Sequence, residues 1–320
     1  MVRIAELNFT EHDVTDQGSL ALFVENRSRC GIYWLDFEDG SSYVGQSVNA
    51  RTRLATHRRR WNDAVVVRFA ECELERLDDL ELATIQYVQK LRPLRNVLLT
   101  SRPAGHEDLL ITVREGASLA LPWERGRRGL LNADQSQSVT VGPANAAWVK
   151  LSSHDKYVDL VSVLSSLLSE SVPSPAQTQE VLWTLTALPS TNRSTGWRRL
   201  CTLSVGRLEV LRVFEERDAG TTSMHWYMNL HPEATEQQVG RALKVAGVEN
   251  AHVERVAYKA LPDPVLTVSA VGLESLGAVL RDGYVLDEVY KLVVSLMRQG
   301  INPIRRNHNW SFAIDVLRDH

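Results

Sequence analysis

The chain has 320 residues, 44% of them apolar, and a formal net charge of −3 at pH 7. That length suits two or three compact domains with a sizeable core. The near-neutral balance excludes a polycation, and the lack of an apolar run near 18 residues leaves no transmembrane helix to expect and no membrane partner.

Residues 1 to 30 are weakly patterned and read as a strand or helix packed on the first domain. Their start, MVRIAELNFTEHDV, carries acids where a secretion signal would have its apolar stretch. Cys30, Cys72 and Cys201 are odd in number and lack zinc spacing, so reduced thiols and a cytoplasmic location are expected. "GIYWLDFEDGSSYVGQS" at 31–47 reads as two strands and a turn. A helix follows at 48–60, with Val48, Leu54 and Trp61 as its apolar positions. Residues 64–70 form a valine-rich third strand, and a second helix runs from Leu77 to Leu91, stopped by Pro93. These elements make residues 1–100 a small α+β domain, a three-stranded sheet flanked by helices.

Residues 101–178 read as a connector with short strands and with Arg125, Arg127 and Arg128. It includes a helix marked by Tyr157, Leu160, Val161, Leu164, Leu167 and Leu168. "SVPSPAQTQ" at 171–179 is a loop. Residues 179–320 are again α+β. Strands are predicted at 200–205, 208–215, 223–230, 252–259 and 264–270, and helices at 235–246, 273–281 and 284–298. A strand is expected near the C-terminus. There is no internal repeat.

Charge is uneven along the first domain. Between Gln46 and Trp61 stand five arginines and no acid: Arg51, Arg53, Arg58, Arg59 and Arg60. Between Glu71 and Glu81 stand six acids and one arginine. A basic stripe of this kind fits a face that contacts phosphates. The plainer reading is a solvated helix face.

The hairpin holds the most information. A two-residue Asp39-Gly40 loop would put Tyr33 and Tyr43 on opposite faces. A three-residue loop, Glu38-Asp39-Gly40 with Gly40 left-handed, pairs Tyr33 with Gly45 and Leu35 with Tyr43. Both tyrosines then share one face, and Gly45 leaves room beside the Tyr33 ring. The three-residue loop is predicted. Two tyrosines alone would be ordinary β-formers in a core.

Gly31-Ile32-Tyr33 followed by Tyr43-Val44-Gly45 resembles the signature of the GIY-YIG nuclease superfamily. Arg53 stands on the next helix, His57 one turn later, Glu81 on the later helix and Asn96 at the end. Val44 replaces the isoleucine of the family name. The resemblance covers about residues 29–100. It implies a metal-dependent endonuclease hydrolysing phosphodiester bonds, with catalytic residues Tyr33, Tyr43, Arg53, His57 and Glu81. It also implies one Mg²⁺ or Mn²⁺ per active site, held by Glu81, with Gly31, Gly45 and Asn96 as structural residues near the site.

The residues themselves bear on this. Arg53 and His57 are i,i+4 and share a helix face. Arginine suits a phosphate through its planar fork and fixed charge; its plainer use is an ion pair with an acid of 71–81. Glu81 lies on or near the apolar stripe of its helix, where a carboxylate is costly unless paired or bound to a cation. Both a metal and a salt bridge to Arg53 or another base satisfy it. The resemblance implies that a tyrosine takes the proton of the attacking water, Tyr33 foremost, with Tyr43 orienting water or phosphate. A phenol near pKa 10 is a poor base unless nearby positive charge lowers it, a role open to Arg53 and the metal. Asn96 is expected to pin backbone. Cys30 is expected to be a structural thiol.

Members of this family are usually fused to a targeting domain. Arg193, Trp197, Arg198 and Arg199, and Arg305, Arg306, His308 and Trp310, mix base and aromatic as nucleic-acid contacts do. Residues 101–320 otherwise suggest a regulatory partner or a homo-oligomer. DNA is the expected partner, RNA the alternative. The competing reading of the whole protein is a catalytically silent nuclease-like domain used for binding or scaffolding. Restriction, phage defence, mobile-element and repair roles all fit.

Overall fold

Tyr33 pairs with Gly45 and Leu35 with Tyr43, the register of the three-residue loop. Gly40 has φ +78°. Its N–H donates to the Phe37 carbonyl at 3.0 Å, and the Phe37 N–H donates to the Ser41 carbonyl at 3.0 Å. These features come from a computed structural model. It describes residues 7–15, 17–20, 29–100, 102–105, 107–114, 117–128, 145–190, 196–218, 220–258 and 261–318. The chain divides into two units, Met1–His106 and Glu107–His320.

In the first unit, strands β1 (Thr10–Asp13), β2 (Gly31–Phe37), β3 (Ser42–Ser47) and β4 (Ala64–Glu71) form an antiparallel sheet in the order β1-β4-β2-β3. The expected three strands are therefore four. The short polar stretch TEHD adds the edge strand, one of the two elements expected from residues 1–30. Central β2 is buried on both faces. Its Tyr33, Leu35 and Phe37 meet Ala50 and Leu54 of helix α1 (Ala50–Arg60) in one cluster. Its Ile32 meets Val44 and the Leu77, Leu80, Ile85 and Val88 stripe of α2 (Leu77–Val88) in another. Alternation along β2 thus assigns the two helices to opposite faces. Asn49 caps α1 by accepting from the Thr52 N–H at 3.2 Å. Val48, expected inside that helix as an apolar position, precedes it and is exposed. α2 ends at Val88 instead of Leu91, because Lys90 and Leu91 donate to carbonyls three residues back.

In the second unit, strands β5 (Leu109–Arg114) and β6 (Ala117–Leu121) pair as a small sheet. The main sheet has six antiparallel strands. These are β7 (Trp183–Ala187), β8 (Trp197–Val205), β9 (Leu208–Asp218), β10 (Thr221–Leu230), β11 (His252–Val256) and β12 (Val265–Val271), ordered β11-β12-β10-β9-β8-β7. Helices α3 (Ala146–Ser152), α4 (Tyr157–Ser171), α5 (Glu236–Val245), α6 (Leu273–Val279), α7 (Gly283–Met297) and α8 (Trp310–Arg318) contribute apolar side chains to the same core. The described residues between 107 and 178 therefore fall in this unit and pack on its core instead of forming a separate connector. The C-terminal segment is helix α8, not a strand. Asn309 Oδ1 accepts the Phe312 N–H at 3.1 Å, and the buried Phe312, Ala313 and Val316 follow helical spacing. Among the described residues no helix is long and apolar enough to cross a membrane.

Candidate active site

The hairpin presents Tyr33 and Tyr43 on the α1 face, ring centroids 6.1 Å apart. A Cβ on Gly45 would stand 2.5 Å from Tyr33 Cζ and closer still to its hydroxyl oxygen, so only glycine fits opposite Tyr33. Gly31 is equally constrained: a Cβ there would lie 2.8 Å from Phe69 Cζ and against the Ala70 carbonyl.

α1 brings Arg53 and His57 to this face. The Tyr33 hydroxyl lies 2.7 Å from His57 Nε2, and Arg53 Nε donates to the same hydroxyl at 3.4 Å. Trp61 stacks on His57 at 4.8 Å and 13°, and its ring stands 4.5 Å from that of Tyr43. Tyr33 and His57 are buried, Tyr43 is half-buried and Arg53 is exposed. The four groups expected to converge from hairpin and helix do so.

Burial dominates their electrostatics. Burial, followed by the charges of Arg53 and Arg60, pushes His57 down to about 4, so the ring is neutral at pH 7. Burial, followed by Tyr43, pushes the Tyr33 phenol up; Arg53 acts in the opposite direction and is outweighed. In the chain by itself Arg53 does not bring this phenol below its ordinary value, because a fully buried phenolate is disfavoured more by desolvation than one guanidinium offsets.

Glu81 sits on α2, whose apolar stripe covers the opposite face of the sheet. Its carboxylate meets Gln46 of edge strand β3 and feels the charge of Arg53. Burial raises its carboxyl above the usual range, hydrogen bonds from the Gln46 side chain and backbone oppose this, Asp78 adds to the rise, and Arg53 lowers it. Gln46 Nε2 also donates to Asp78 Oδ1 at 2.6 Å. Among the described residues Glu81 makes no ion pair, and Arg53 donates to Tyr33, so the alternative salt bridge is not formed. No group of three or more His, Cys, Asp or Glu gathers as a metal cage among the described residues. A half-buried carboxylate without a counter-cation, with Asp78 one turn earlier, does fit Mg²⁺, which takes one or two carboxylates and fills its shell with water and phosphate.

Asn96 is buried; its Oδ1 accepts the Val44 N–H at 2.9 Å and its Nδ2 donates to the Val44 carbonyl at 2.7 Å. It pins β3 as expected. Cys30 is free and half-buried, and burial pushes its thiol up.

The basic residues separate into groups. Arg51, Arg59 and Arg60 are exposed on α1, with Arg60 5.0 Å over the Trp61 ring. Arg58 instead donates to the Ala64 and Thr15 carbonyls at 3.0 and 3.5 Å, ties that hold it to the fold. Arg199 is a correction. Its side chain is buried, 2.6 Å from Glu209 and over the Phe214 ring, so its charge is taken up inside the fold. Arg198 remains half-exposed. His308 is buried and pushed down to about 4 by that burial, so it too is no phosphate contact. Arg193 lies outside the described residues.

Sequence reasoning missed two participants. Trp61 was read as an apolar helix position, yet its i,i+4 spacing from His57 places it on the site face. Gln46, next to Gly45, gave no signal, because its role depends on how α2 packs beside β3. A scan against family models and searches of curated proteins and of solved structures find no match to this chain.

Proposed function

We propose that the first unit is a metal-dependent nuclease domain of the GIY-YIG type that hydrolyses phosphodiester bonds, in DNA before RNA. The observation that carries this reading is the Tyr33–His57–Arg53 contact set beside Tyr43. A neutral imidazole bonded to a phenol that also accepts from a guanidinium joins a proton acceptor to a phosphate-binding charge.

In this reading Arg53 takes a phosphoryl oxygen of the scissile group and stabilises the charge that grows there. Arg53 can only donate, so Tyr33 Oη accepts from it and gives its own proton to His57 Nε2; the imidazole proton then sits on Nδ1. As water attacks, its proton passes to Tyr33 Oη while the Tyr33 proton moves to His57 Nε2. No free phenolate forms, in keeping with the raised Tyr33 pKa. The incoming phosphate charge raises the basicity of His57 when it is needed. Half-buried Tyr43 orients water or phosphate. Glu81, with Asp78 beside it, would hold Mg²⁺ or Mn²⁺. When bound, the ion supplies Lewis-acid polarisation of the phosphate and neutralises charge on the leaving oxygen.

The test is purified protein with supercoiled plasmid, single-stranded DNA and RNA, with Mg²⁺ or EDTA, beside Glu81→Ala. Mg²⁺-dependent cutting that Glu81→Ala abolishes is expected. Absence of cutting on all three, with binding kept by both proteins, would leave a binding or scaffold domain instead.

A further inference from the structure

The second unit carries two adjoining clefts between α3, the turn after it, and the strand ends of β8, β9 and β10. One, of about 550 Å³, is lined by Ala146, Ala147, Leu188, Pro189 and Trp197. The other, of about 400 Å³, is lined by Lys150, His154, Arg198, Glu215 and Arg217 among others. Lys150 and Arg198 line both. A compartment with aliphatic and aromatic walls, which Arg199 also lines, therefore opens at two cations onto a polar one where His154, Lys156 and Arg217 stand with the acids Asp155 and Glu215.

The basic side is a built arrangement. Glu215 is 2% exposed and accepts from His154 Nε2 and from an Arg217 Nη, each at 3.0 Å; Arg198 Nε lies 3.6 Å away. Burial raises this carboxyl, but Arg217, His154 and Arg198 together hold it below the usual range. One buried anion thus orients three side chains, and the Arg217 side chain stays 64% exposed. Lys150 is exposed and has no carboxylate partner among the described residues. Lys156, also on the rim, is taken up by Asp159 and Glu274. On the apolar side Trp197 is half-buried and held in place, its ring 4.6 Å from His225 and 6.1 Å from Phe214.

We propose that these clefts bind one nucleotide unit, its base against Trp197, Leu188 and Pro189 and its phosphate on Lys150, Arg198 and Arg217. Their volumes are of ligand size, a flat base suits an aromatic wall, and guanidinium and ammonium groups at the junction suit a phosphate. The nucleotide comes either from a strand of nucleic acid or from a free mononucleotide; the chemistry is shared. The site stands apart from the nuclease reading and does not depend on it.

The test uses the full chain carrying Glu81→Ala, in EDTA, so that nothing is cut. Fluorescence polarisation is read with a dye-labelled twelve-residue thymidylate strand and with dye-labelled ATP. Lys150→Glu should weaken the bound probe about tenfold, the share of one charge-assisted phosphate contact. Arg207→Glu, an exposed cation at the far end of β8, should change it less than about twofold. Lys150 is exposed, so the variant should melt like the parent. Binding of the strand alone assigns a nucleic acid, and binding of ATP alone a free nucleotide. Equal affinity of parent and Lys150→Glu for both probes overturns the proposal. So does binding of neither probe, or competition by inorganic phosphate or an abasic strand as strong as by the full nucleotide. None of these outcomes touches the plasmid-cutting result, so either reading can fail alone.

Discussion

The Tyr33 hydroxyl lies 2.7 Å from Nε2 of His57, a ring that burial keeps neutral. If that contact is the proton path, Tyr33→Phe keeps the ring and its packing and removes only the relaying oxygen. Cutting of plasmid in Mg²⁺ should then fall about 10²-fold or more, the size of a lost general acid–base step. Stability should fall by only about 1–2 kcal/mol, because His57 and Arg53 lose a partner but no cavity opens. Cutting at the parent rate would show that the proton leaves by another route.

Gly45 faces Tyr33 so closely that a methyl group has nowhere to go. Tyr33 cannot retreat, since it is fully buried and tied to His57. Gly45→Ala should therefore cost roughly 1–3 kcal/mol, the range of an overpacked core, and should disturb the catalytic oxygen as well. Gly18→Ala, where a Cβ meets nothing within 4 Å, is the matched control. Urea midpoints of the two variants measure the difference, and equal midpoints would contradict the close fit.

The hairpin register was legible because Gly40 and the pair Tyr33/Gly45 restrict the turn to one length, and side-chain alternation does the rest. The union of Arg53 and His57 with the tyrosines followed from i,i+4 spacing plus one assumption about which face α1 covers. The route by which Glu81 arrives was not legible. It is linked to the site through Gln46 on edge strand β3 and through the charge of Arg53, tertiary relations that no local period encodes. The raised pKa of Tyr33 was hidden for the same reason, since charge partners can be guessed from a motif but depth of burial cannot. In the second unit the individual strands had readable patterns, yet Arg199 looked like a ligand contact. The Glu209 that buries its charge lies on the neighbouring strand.

His57 supplies a pH test. Its folded value of about 4 lies below its ordinary 6.5. Above pH 6.5 neither folded nor unfolded chain binds the proton, and the ring adds no pH dependence. As pH falls toward 4 the unfolded chain takes up a proton that the native ring refuses, so stability is lost over that window, by up to roughly 3 kcal/mol. His308 acts with the same sign in the second unit, so the comparison must be with His57→Gln. Melting curves from about pH 7.5 to about pH 4.5 should be flatter for that variant than for the parent. Parallel curves would mean that His57 is not the buried neutral ring described here.

Glu81 permits a test of the metal that does not rely on cutting. Its carboxyl is raised, chiefly by burial, so the native chain holds this proton more tightly than the unfolded chain does. That contribution to stability is fully present below the unfolded value near 4.5 and is lost as pH rises through the folded pKa. At neutral pH and without a cation the ionised carboxylate is a burden on the fold. Glu81→Gln, which keeps the shape and a polar end for Gln46, should therefore melt slightly higher than the parent in EDTA. Adding Mg²⁺ should reverse the order. A ligand that binds only the native chain stabilises it by RT ln(1 + [L]/Kd), about 1.4 kcal/mol at roughly ten times Kd, and the glutamine variant has no charge with which to hold it. Mn²⁺ should act alike. A rise with Mg²⁺ of equal size in both proteins would place the ion away from Glu81. A glutamine variant that melts lower than the parent in EDTA would mean that the carboxylate already has a cationic partner in the chain, which returns the salt-bridge reading in place of the metal.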